Sequence, residues 1–318
     1  MNGKSYKEAI NDVKNDKYTK KHSRFGSYLL ALRPWSFSAS LIPVVLGALL
    51  GWKTTGELNI LLTLVTTVAV LCVHASGNLV NTYYDYLRGV DSKVSDDRTL
   101  VDHILTPDEV VRVGALTYVV ASFCFLVVVS LSPAKMEHLA LLFFGGLSGS
   151  FLYTGGIGLK YYALGDIVIL ITFGPLAVLF SYMIQCGQFA SFPLYYAIPL
   201  ALNTEAILHS NNTRDMDNDE KAGAVTLTIL VGKHASYAVY CLLLFTPYVI
   251  CVVWGVNISV RYCLPLLTIG FAFRLEKEFR DGKLASLPKR TAKLNFFFGL
   301  LYLISFVIAP RLPHIRKL

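Results

Sequence analysis

The sequence contains nine apolar stretches that recur along almost its whole length. Most are close to the roughly 20 residues that an α-helix needs to cross the hydrocarbon core of a bilayer. They lie at residues 35–52, 58–81, 112–132, 137–156, 163–185, 192–210, 235–256, 262–273 and 294–309. The eighth stretch is about one helical turn short at each end, so it fits either a short span or a re-entrant segment. The pattern predicts an all-α integral membrane protein with nine transmembrane helices.

The composition agrees with a membrane protein. Hydrophobic residues make up 54% of the 318 residues and charged residues only 16%, whereas soluble domains average about 25% charged residues. The six cysteines lie in or at the ends of apolar stretches and form no Cys-x-x-Cys pair. We therefore expect them to behave as small hydrophobic residues and not as disulfides or zinc ligands.

The first residues differ from the rest of the chain. Residues 1–25 are polar and rich in lysine, with no apolar core before a cleavage site. We expect them to be a disordered tail and not a signal peptide. Residues 26–318 are then expected to form a single membrane domain.

The distribution of positive charge predicts the orientation in the membrane. The net charge is +8, and with nine spans 23 of the 29 Lys and Arg residues fall on the side of the N-terminus. Cytoplasmic loops carry the excess of positive charge in membrane proteins. We therefore expect a cytoplasmic N-terminus and a C-terminus on the opposite side. Because topology explains the basic charge, no nucleic-acid partner is needed.

Polar side chains follow one face of the second stretch and one face of the sixth. At 3.6 residues per turn these stripes occupy arcs of about 60° and about 120°. They consist of His74, Asn78, Asn81 and Asp85, and of Glu205, His209, Asn212, Asp215 and Asp219. Ionisable groups inside a membrane usually face the bundle interior. The two stripes therefore predict one central cavity, open to the cytoplasmic side.

The acidic ends of the stripes favour a magnesium site. Oxygen ligands without cysteine or clustered histidine suit Mg²⁺, whose shell is commonly completed by phosphate oxygens and water. Acidic clusters above an apolar cavity therefore predict a ligand with a phosphorylated head and a lipid tail. The basic residues in the same loops, which could neutralise phosphate oxygens, are Arg88, Arg98, Lys160, Arg214 and Lys221.

Several other features of these loops have plainer interpretations. Thr106-Pro107-Asp108-Glu109 is typical of a helix start, and the remaining acidic residues of that loop are expected to be surface charge or caps. Those residues are Asp96, Asp97 and Asp102. His74 fits a hydrogen bond to a neighbouring helix as well as a role in the cavity. Most aromatic residues are expected to face lipid, although Tyr83, Tyr84 and Tyr153 could offer ring faces to a carbocation.

The motifs on these stretches resemble those of the UbiA superfamily of intramembrane aromatic prenyltransferases, and most closely its menaquinone branch. The resemblance covers nearly everything after residue 30. It is carried by Leu32-Arg33-Pro34-Trp35-Ser36-Phe37, by the segment from Gly77 to Asp85, by Tyr153-Thr154-Gly155-Gly156, by Leu164-Gly165-Asp166 and by the segment from His209 to Asp219. The fold it implies is a bundle of nine transmembrane helices around a central cavity.

The resemblance implies roles for individual residues. The family's two acidic motifs correspond to Asn81, Asp85 and Asp91, and to Asp215 and Asp219, as the groups that hold Mg²⁺. The substrate-binding residues it implies are Asn78, Arg88, Tyr153, Lys160, Glu205, His209, Asn212 and Arg214. The chain departs from the family at Thr82, where many members have Asp, and at Gly89, where ubiquinone-branch members place the acid found here at Asp91. That displacement is typical of enzymes with a naphthoquinone acceptor.

The activity that the resemblance implies is Mg²⁺-dependent transfer of a prenyl group. The expected donor is an isoprenyl diphosphate, geranylgeranyl diphosphate, and the expected acceptor is menadione or its quinol, so that the product is menaquinone-4. The deeper polar residues, His74, Asn78, Glu205 and His209, are expected near the ring acceptor or its proton. The implied location is the membrane of the endoplasmic reticulum or Golgi.

Two other functions remain open from the residues alone. Secondary transporters also carry charges at mid-membrane and repeated halves, and a transporter would need no Mg²⁺. A membrane protein that senses prenyl diphosphate and regulates a membrane-protein partner would share the same binding features, and that role is compatible with catalysis.

Overall fold

The computed structural model describes residues 24–91, 95, 97–310 and 312, and across them the chain is all-α. The α-helices are α1 (Arg24–Leu32), α2 (Ser38–Thr55), α3 (Ile60–Arg88), α4 (Pro107–Leu131), α5 (Met136–Leu152), α6 (Gly165–Cys186), α7 (Phe192–Lys221), α8 (Leu227–Asn257), α9 (Ile269–Arg280) and α10 (Leu287–Ile308). Shorter 3₁₀ segments are Pro34–Ser36, Leu159–Tyr161 and Val260–Thr268. Within this part of the chain, β-structure is limited to one bridge between Tyr162 and Val225.

Five of the described helices are long and apolar enough to cross a membrane. They are α3, α4, α6, α8 and α10. Segments Arg24–Ser36 and α2, which meet at 57°, make a sixth if the bent pair is one span. Each of the nine predicted stretches contains helix, and the short eighth one is a 3₁₀ segment that continues into α9. The chain is therefore a multi-pass membrane protein, while the count of nine crossings stays a prediction.

The predicted disordered tail, residues 1–25, includes two residues that are helical in the structure. Arg24 and Phe25 already belong to α1, and residues 1–23 lie outside the described part of the chain, as does Asp96.

Local sequence signals set the helix ends that flank the polar loop. At the predicted helix start, α4 begins with a capping box in which the Thr106 and Glu109 side chains each bond the other residue's backbone N–H. At the end of α3, Gly89 has φ +73° and its N–H caps the carbonyls of Asp85 and Tyr86. That left-handed conformation favours glycine, and it turns the chain so that the Asp91 N–H reaches the Asp85 carbonyl at 3.3 Å.

Close approach of small residues holds α6 against its two neighbours. A Cβ added to Gly47 of α2 would lie 2.4 Å from the Val178 carbonyl oxygen. A Cβ added to Gly174 of α6 would lie 2.4 Å from Cβ of Ala201 on α7. Small residues at such contacts let helix backbones pack closely inside membranes. These contacts hold α2, α6 and α7 in place around the centre of the bundle.

Candidate active site

An apolar cavity of about 210 Å³ lies in the centre of the bundle. Its wall includes part of a π-helical turn, Thr172–Leu176, inside α6; such turns are frequent at functional sites. The apolar part of the lining comes from α2, α3, α5, α6 and α7 and includes Val70, Val73, Leu142, Phe143, Leu147, Phe173, Leu176, Phe180, Ile207 and Leu208. A cavity with this lining fits a hydrocarbon chain.

A smaller polar pocket of about 40 Å³ adjoins the apolar cavity. Five carboxyl groups line it, and they come from two helices and the loop after the first: Asp85 of α3, Asp91 and Asp97 of the loop, and Asp215 and Asp219 of α7. The two cavities share Arg33, Trp35, Asn81, Lys160 and Asn211 in their linings. The acidic ends of α3 and α7 thus meet at one mouth of the apolar cavity.

Asp85 is the most heavily hydrogen-bonded carboxylate of the pocket. One of its oxygens accepts from Lys160 Nζ at 2.7 Å and from the Asn81 amide, and the other accepts from the Tyr161 hydroxyl at 2.7 Å. Burial alone would lower the pKa of Lys160, but the Asp85 carboxylate raises it well above its ordinary value. Lys160 is therefore a buried, permanently charged ammonium at the junction of the two cavities.

Asp97 forms a second ion pair at the same mouth. Its carboxylate lies 2.5 Å from the Arg33 guanidinium and 2.6 Å from the Thr82 hydroxyl, and its side chain is only 9% exposed. Burial alone would raise the pKa of this carboxyl, but Arg33, helped by Thr82 and the Thr99 N–H, holds it well below its usual range. Of the two expectations for Asp97, a surface charge is therefore wrong, whereas its Oδ1 does cap the Thr99 N–H at 2.9 Å. Its partner Arg33 is 64 positions away in the sequence, and no local pattern links the two.

Asp91 experiences the concentrated negative charge of the pocket. Burial, together with the Asp85 and Asp97 carboxylates, raises its pKa to about 8. Among the described residues, no three His, Cys, Asp or Glu side chains converge closely enough to hold a metal ion by themselves. Any cation bound here must therefore take part of its coordination shell from a ligand or from water.

The face of α7 that lines the pocket differs from the predicted stripe. Asn211, Arg214, Asp215, Asn218 and Asp219 line it. Arg214 donates to Asp215 at 2.6 Å and to the Asn211 side chain at 2.8 Å. The spacing of Asn211, Asp215 and Asn218 is the signal in the sequence that identifies this face.

Three predicted residues of α7 lie outside both cavities. Asn212, Glu205 and His209 are almost fully buried and appear in neither lining. The reason is geometric: α7 is turned so that Asn211, and not Asn212, faces the mouth. An arc of about 120° is too wide to fix which edge of a helix faces a cavity.

The other predicted residues fall into two groups. His74, Asn78 and Tyr153 line the apolar cavity, and His74 lies 2.7 Å from the Ser40 hydroxyl and 3.2 Å from that of Ser36. Arg88 lies outside both cavities, 4.0 Å above the Tyr161 ring. Tyr83, Tyr84 and Arg98 also lie outside them; Arg98 pairs with Asp102 at 2.8 Å.

A family model described as "UbiA prenyltransferase family" matches residues 40–307 of this chain. The chain belongs to the UbiA prenyltransferase family. It is therefore an enzyme, an aromatic prenyltransferase, which is a transferase of alkyl groups other than methyl.

Curated relatives carry the same family name. The chain is 59% identical to the human "UbiA prenyltransferase domain-containing protein 1" over 89% of this chain and 84% of the relative. It is 56% identical to the homologue of that protein from Drosophila melanogaster, over 90% of this chain and 81% of the relative.

Solved structures of UbiA homologues share the fold. One from Aeropyrum pernix K1 superposes with a TM-score of 0.65 at 14% identity, covering 84% of this chain and 97% of the other. One from Archaeoglobus fulgidus, bound to GPP and Mg²⁺, superposes with a TM-score of 0.58 at 15% identity, covering 87% and 99%. At these identities the likeness concerns the fold.

The donor set of this UbiA-family enzyme fits magnesium. The polar pocket offers only carboxylate, amide and hydroxyl oxygens as ligands, together with three cationic side chains, Arg33, Lys160 and Arg214. Hard oxygen donors suit Mg²⁺, which usually binds through one or two carboxylates plus phosphate oxygens and water.

Proposed function

We propose that this enzyme transfers a geranylgeranyl group from its diphosphate to the ring of menadiol, the quinol of menadione, and so makes menaquinone-4. The observation that carries the proposal is the junction of the apolar cavity with a carboxylate-lined pocket at the ends of α3 and α7. An isoprenyl diphosphate likewise has two parts, an apolar hydrocarbon chain and a charged diphosphate head.

In this proposal the polar pocket binds the diphosphate as its magnesium complex. Asn81, Asp85, Asp91, Asp215 and Asp219 would hold the metal, directly or through water, and the metal would supply Lewis-acid stabilisation of the charge that develops on the diphosphate. A cation bound at Asp85 would compete with Lys160, which lies 2.7 Å from that carboxylate. The Lys160 ammonium can then donate to diphosphate oxygens.

The remaining cations complete the diphosphate site. Arg33 lines both cavities, so its guanidinium stands where the diphosphate joins the prenyl chain. Arg214 lines the polar pocket beside Asp215. Arg88 is expected to act indirectly, by packing on the Tyr161 ring that supports Asp85.

The apolar cavity would hold the prenyl chain and the ring acceptor away from water. When the allylic C–O bond breaks, the electron pair leaves with the diphosphate and the resulting cation must meet only the ring carbon. Exclusion of water prevents hydrolysis of such an intermediate. The aromatic rings of Phe143, Phe173 and Tyr153 line this space, and ring faces stabilise cations.

The naphthoquinol acceptor is supported by the resemblance to the menaquinone branch and by the position of Asp91. Gly89 ends α3 and allows Asp91, two residues later, to line the pocket. Asn78 and His74 on the cavity wall are the polar groups available to the acceptor's oxygens. Both already have partners inside the protein: the Asn78 amide donates to the Leu32 carbonyl at 2.9 Å, and the two ring nitrogens of His74 contact the Ser36 and Ser40 hydroxyls.

The cellular setting belongs to the same proposal. We infer a location in the endoplasmic reticulum or Golgi membrane, with the polar mouth and N-terminus facing the cytoplasm. A membrane-protein partner regulated by bound prenyl diphosphate remains compatible with this arrangement.

Product analysis tests the proposed function. The full chain in lipid nanodiscs is supplied with geranylgeranyl diphosphate, menadiol and Mg²⁺, and menaquinone-4 is measured by mass spectrometry. We expect product with Mg²⁺ and none after chelation, and losses of about 100-fold or more in Asp85→Ala and Asp215→Ala. Asp102→Ala, which removes a carboxylate outside both cavities, should retain activity. Full product formation in both pocket variants would refute the assignment.

A further inference from the structure

The apolar cavity extends deep into the bundle from the polar mouth. Asn81 of α3 lines both cavities, whereas Val70 is the lining residue of the same helix that lies farthest from the mouth. The rise of an α-helix places Val70 about 16 Å deeper than Asn81. The residues around Val70 therefore form the end of the cavity opposite the polar pocket.

The directions of α5 and α6 identify the other residues at this end. α5 runs toward the mouth, because the Lys160 N–H at the junction of the cavities bonds the carbonyl of Tyr153, directly after that helix, at 2.8 Å. α6 runs away from the mouth, because a Cβ added to its first residue, Gly165, would lie 3.2 Å from Cα of Lys160. The deepest lining residues are thus the first on α5 and the last on α6, namely Leu142, Phe143 and Phe180.

The rings of Phe143 and Phe180 meet at this end of the cavity. Their centroids are 6.1 Å apart, and the side chains are only 4% and 2% exposed. The Phe125 ring of α4 stacks on Phe143 at 4.4 Å, with the two planes 12° apart. All three belong to the main apolar core. Because protein cores contain few voids, a ligand cannot push these two rings aside without disturbing the core behind them.

We propose that Phe143 and Phe180 set the maximum length of the prenyl chain that this enzyme accepts; this inference rests on the proposed function. The polar pocket fixes the diphosphate, so the hydrocarbon chain extends from the mouth toward the two rings. A chain one isoprene unit longer than geranylgeranyl meets a ring. Removal of a ring leaves room for that unit, since the two contain similar numbers of carbon atoms. Apolar spaces made by such substitutions stay dry and bind hydrocarbons.

Donors of different length test this role. Full-length protein in lipid nanodiscs receives Mg²⁺, menadiol and either farnesyl, geranylgeranyl or geranylfarnesyl diphosphate, and kcat/KM is measured for each donor. We expect the natural sequence to use geranylgeranyl diphosphate in preference to geranylfarnesyl diphosphate. In Phe143→Ala and Phe180→Ala the ratio of kcat/KM for the longer donor to that for geranylgeranyl diphosphate should rise about 10-fold or more, as is usual when an apolar pocket gains room for part of a substrate.

A substitution that fills the end of the cavity should have the opposite effect. Val70 lines the cavity at the same depth, so Val70→Phe adds a ring there and should shift the preference toward farnesyl diphosphate. Phe143→Leu and Phe180→Leu serve where alanine prevents folding, and they should favour the longer donor by a smaller factor. Thermal unfolding shows which variants are folded.

Phe298 of α10 offers a matched control. It is fully buried and lines neither cavity. Its ring stacks on Tyr302 with centroids 5.9 Å apart. Phe298→Ala and Phe298→Leu therefore remove the same core packing and should leave the donor preference unchanged.

Two results would overturn the inference. One is equal kcat/KM for geranylgeranyl and geranylfarnesyl diphosphate in the natural sequence, since the end of the cavity would then not limit chain length. The other is an unchanged ratio in folded Phe143 and Phe180 variants, or an equal change in the Phe298 variants. Failure of the natural sequence to make a prenylated product from any of the three donors would refute the proposed function instead.

Discussion

The ion pair between Arg33 and Asp97 lies where the two cavities meet, with Asp97 in the polar pocket. Arg33 lines both of them, and Asp97 with Thr82 holds its guanidinium at the mouth. Because the guanidinium is already held in place, binding of the diphosphate would cost little further side-chain conformational entropy. Asp97 is thus expected to act on substrate binding more than on the chemical step.

Substitution of Asp97 tests this positioning. In Asp97→Asn the charged partner of Arg33 is lost while the shape is kept, and hydrogen bonds to charged groups contribute about 1.5–3 kcal/mol. We expect the KM for prenyl diphosphate to rise about 10-fold or more, with a smaller change in kcat. Steady-state kinetics measure both. Asp102→Asn, which alters a surface pair with Arg98, is the control, and an unchanged KM in Asp97→Asn would contradict the role.

Residue-level prediction from the sequence succeeded where one helix carries the signal. The four-residue steps from Asn81 to Asp85 and from Asp215 to Asp219 are periodic within α3 and α7, and all four residues line the pocket. Arg33, Asp97 and Tyr161 were missed because their contacts join segments far apart in the chain. Asn212 was chosen over Asn211 because periodicity does not fix the rotation of a helix.

The C-terminus of α3 shows how one helix end shapes the site. Gly89 adopts φ +73°, with nothing within 4 Å of an added Cβ, and the turn carries Asp91 to the pocket. Gly56 ends α2 in the same way, with φ +81° and equally open surroundings. It lies outside both cavities. Gly56 is therefore a suitable control position for a substitution at Gly89.

Alanine at the two positions separates strain from function. Each of Gly89→Ala and Gly56→Ala should cost about 1–2 kcal/mol of stability, because a non-glycine residue is strained in the left-handed region. Thermal unfolding should show similar shifts for both. Only Gly89→Ala should reduce prenyl transfer, since only there does relief of the strain displace Asp91. Equal activities in the two variants would show that this helix end does not shape the site.

Apolar length and capping residues in the sequence were sufficient to locate the helices. They did not predict an irregular turn inside a helix. All nine apolar stretches contain helix, and the helix start at Thr106 was predicted from four residues. The π-helical turn in α6 was not predicted, although Gly174-Pro175 within Thr172–Leu176 is a helix-breaking signal in the sequence. Pro175 has no backbone N–H with which to continue the helical hydrogen bonds, and apolar periodicity does not say how the helix accommodates that loss.

The charge asymmetry of the whole molecule predicts its orientation. With nine spans, 23 of the 29 basic residues lie on the N-terminal side, which is expected to be cytoplasmic. In sealed microsomes, protease should remove an epitope added at the N-terminus and leave one at the C-terminus intact until detergent is added. Loss of both epitopes without detergent would contradict an odd number of crossings.

The central claim is that α3 and α7 hold one magnesium diphosphate between them. Binding of a non-hydrolysable geranylgeranyl diphosphate analogue, measured by titration calorimetry with Mg²⁺, tests it in the natural sequence, Asp85→Ala, Asp215→Ala and the double variant. Groups that share a ligand are coupled, typically by about 0.5–3 kcal/mol. We predict that the double variant weakens binding by less than the two single effects combined. Strictly additive effects, or unchanged affinity in either single variant, would contradict the account.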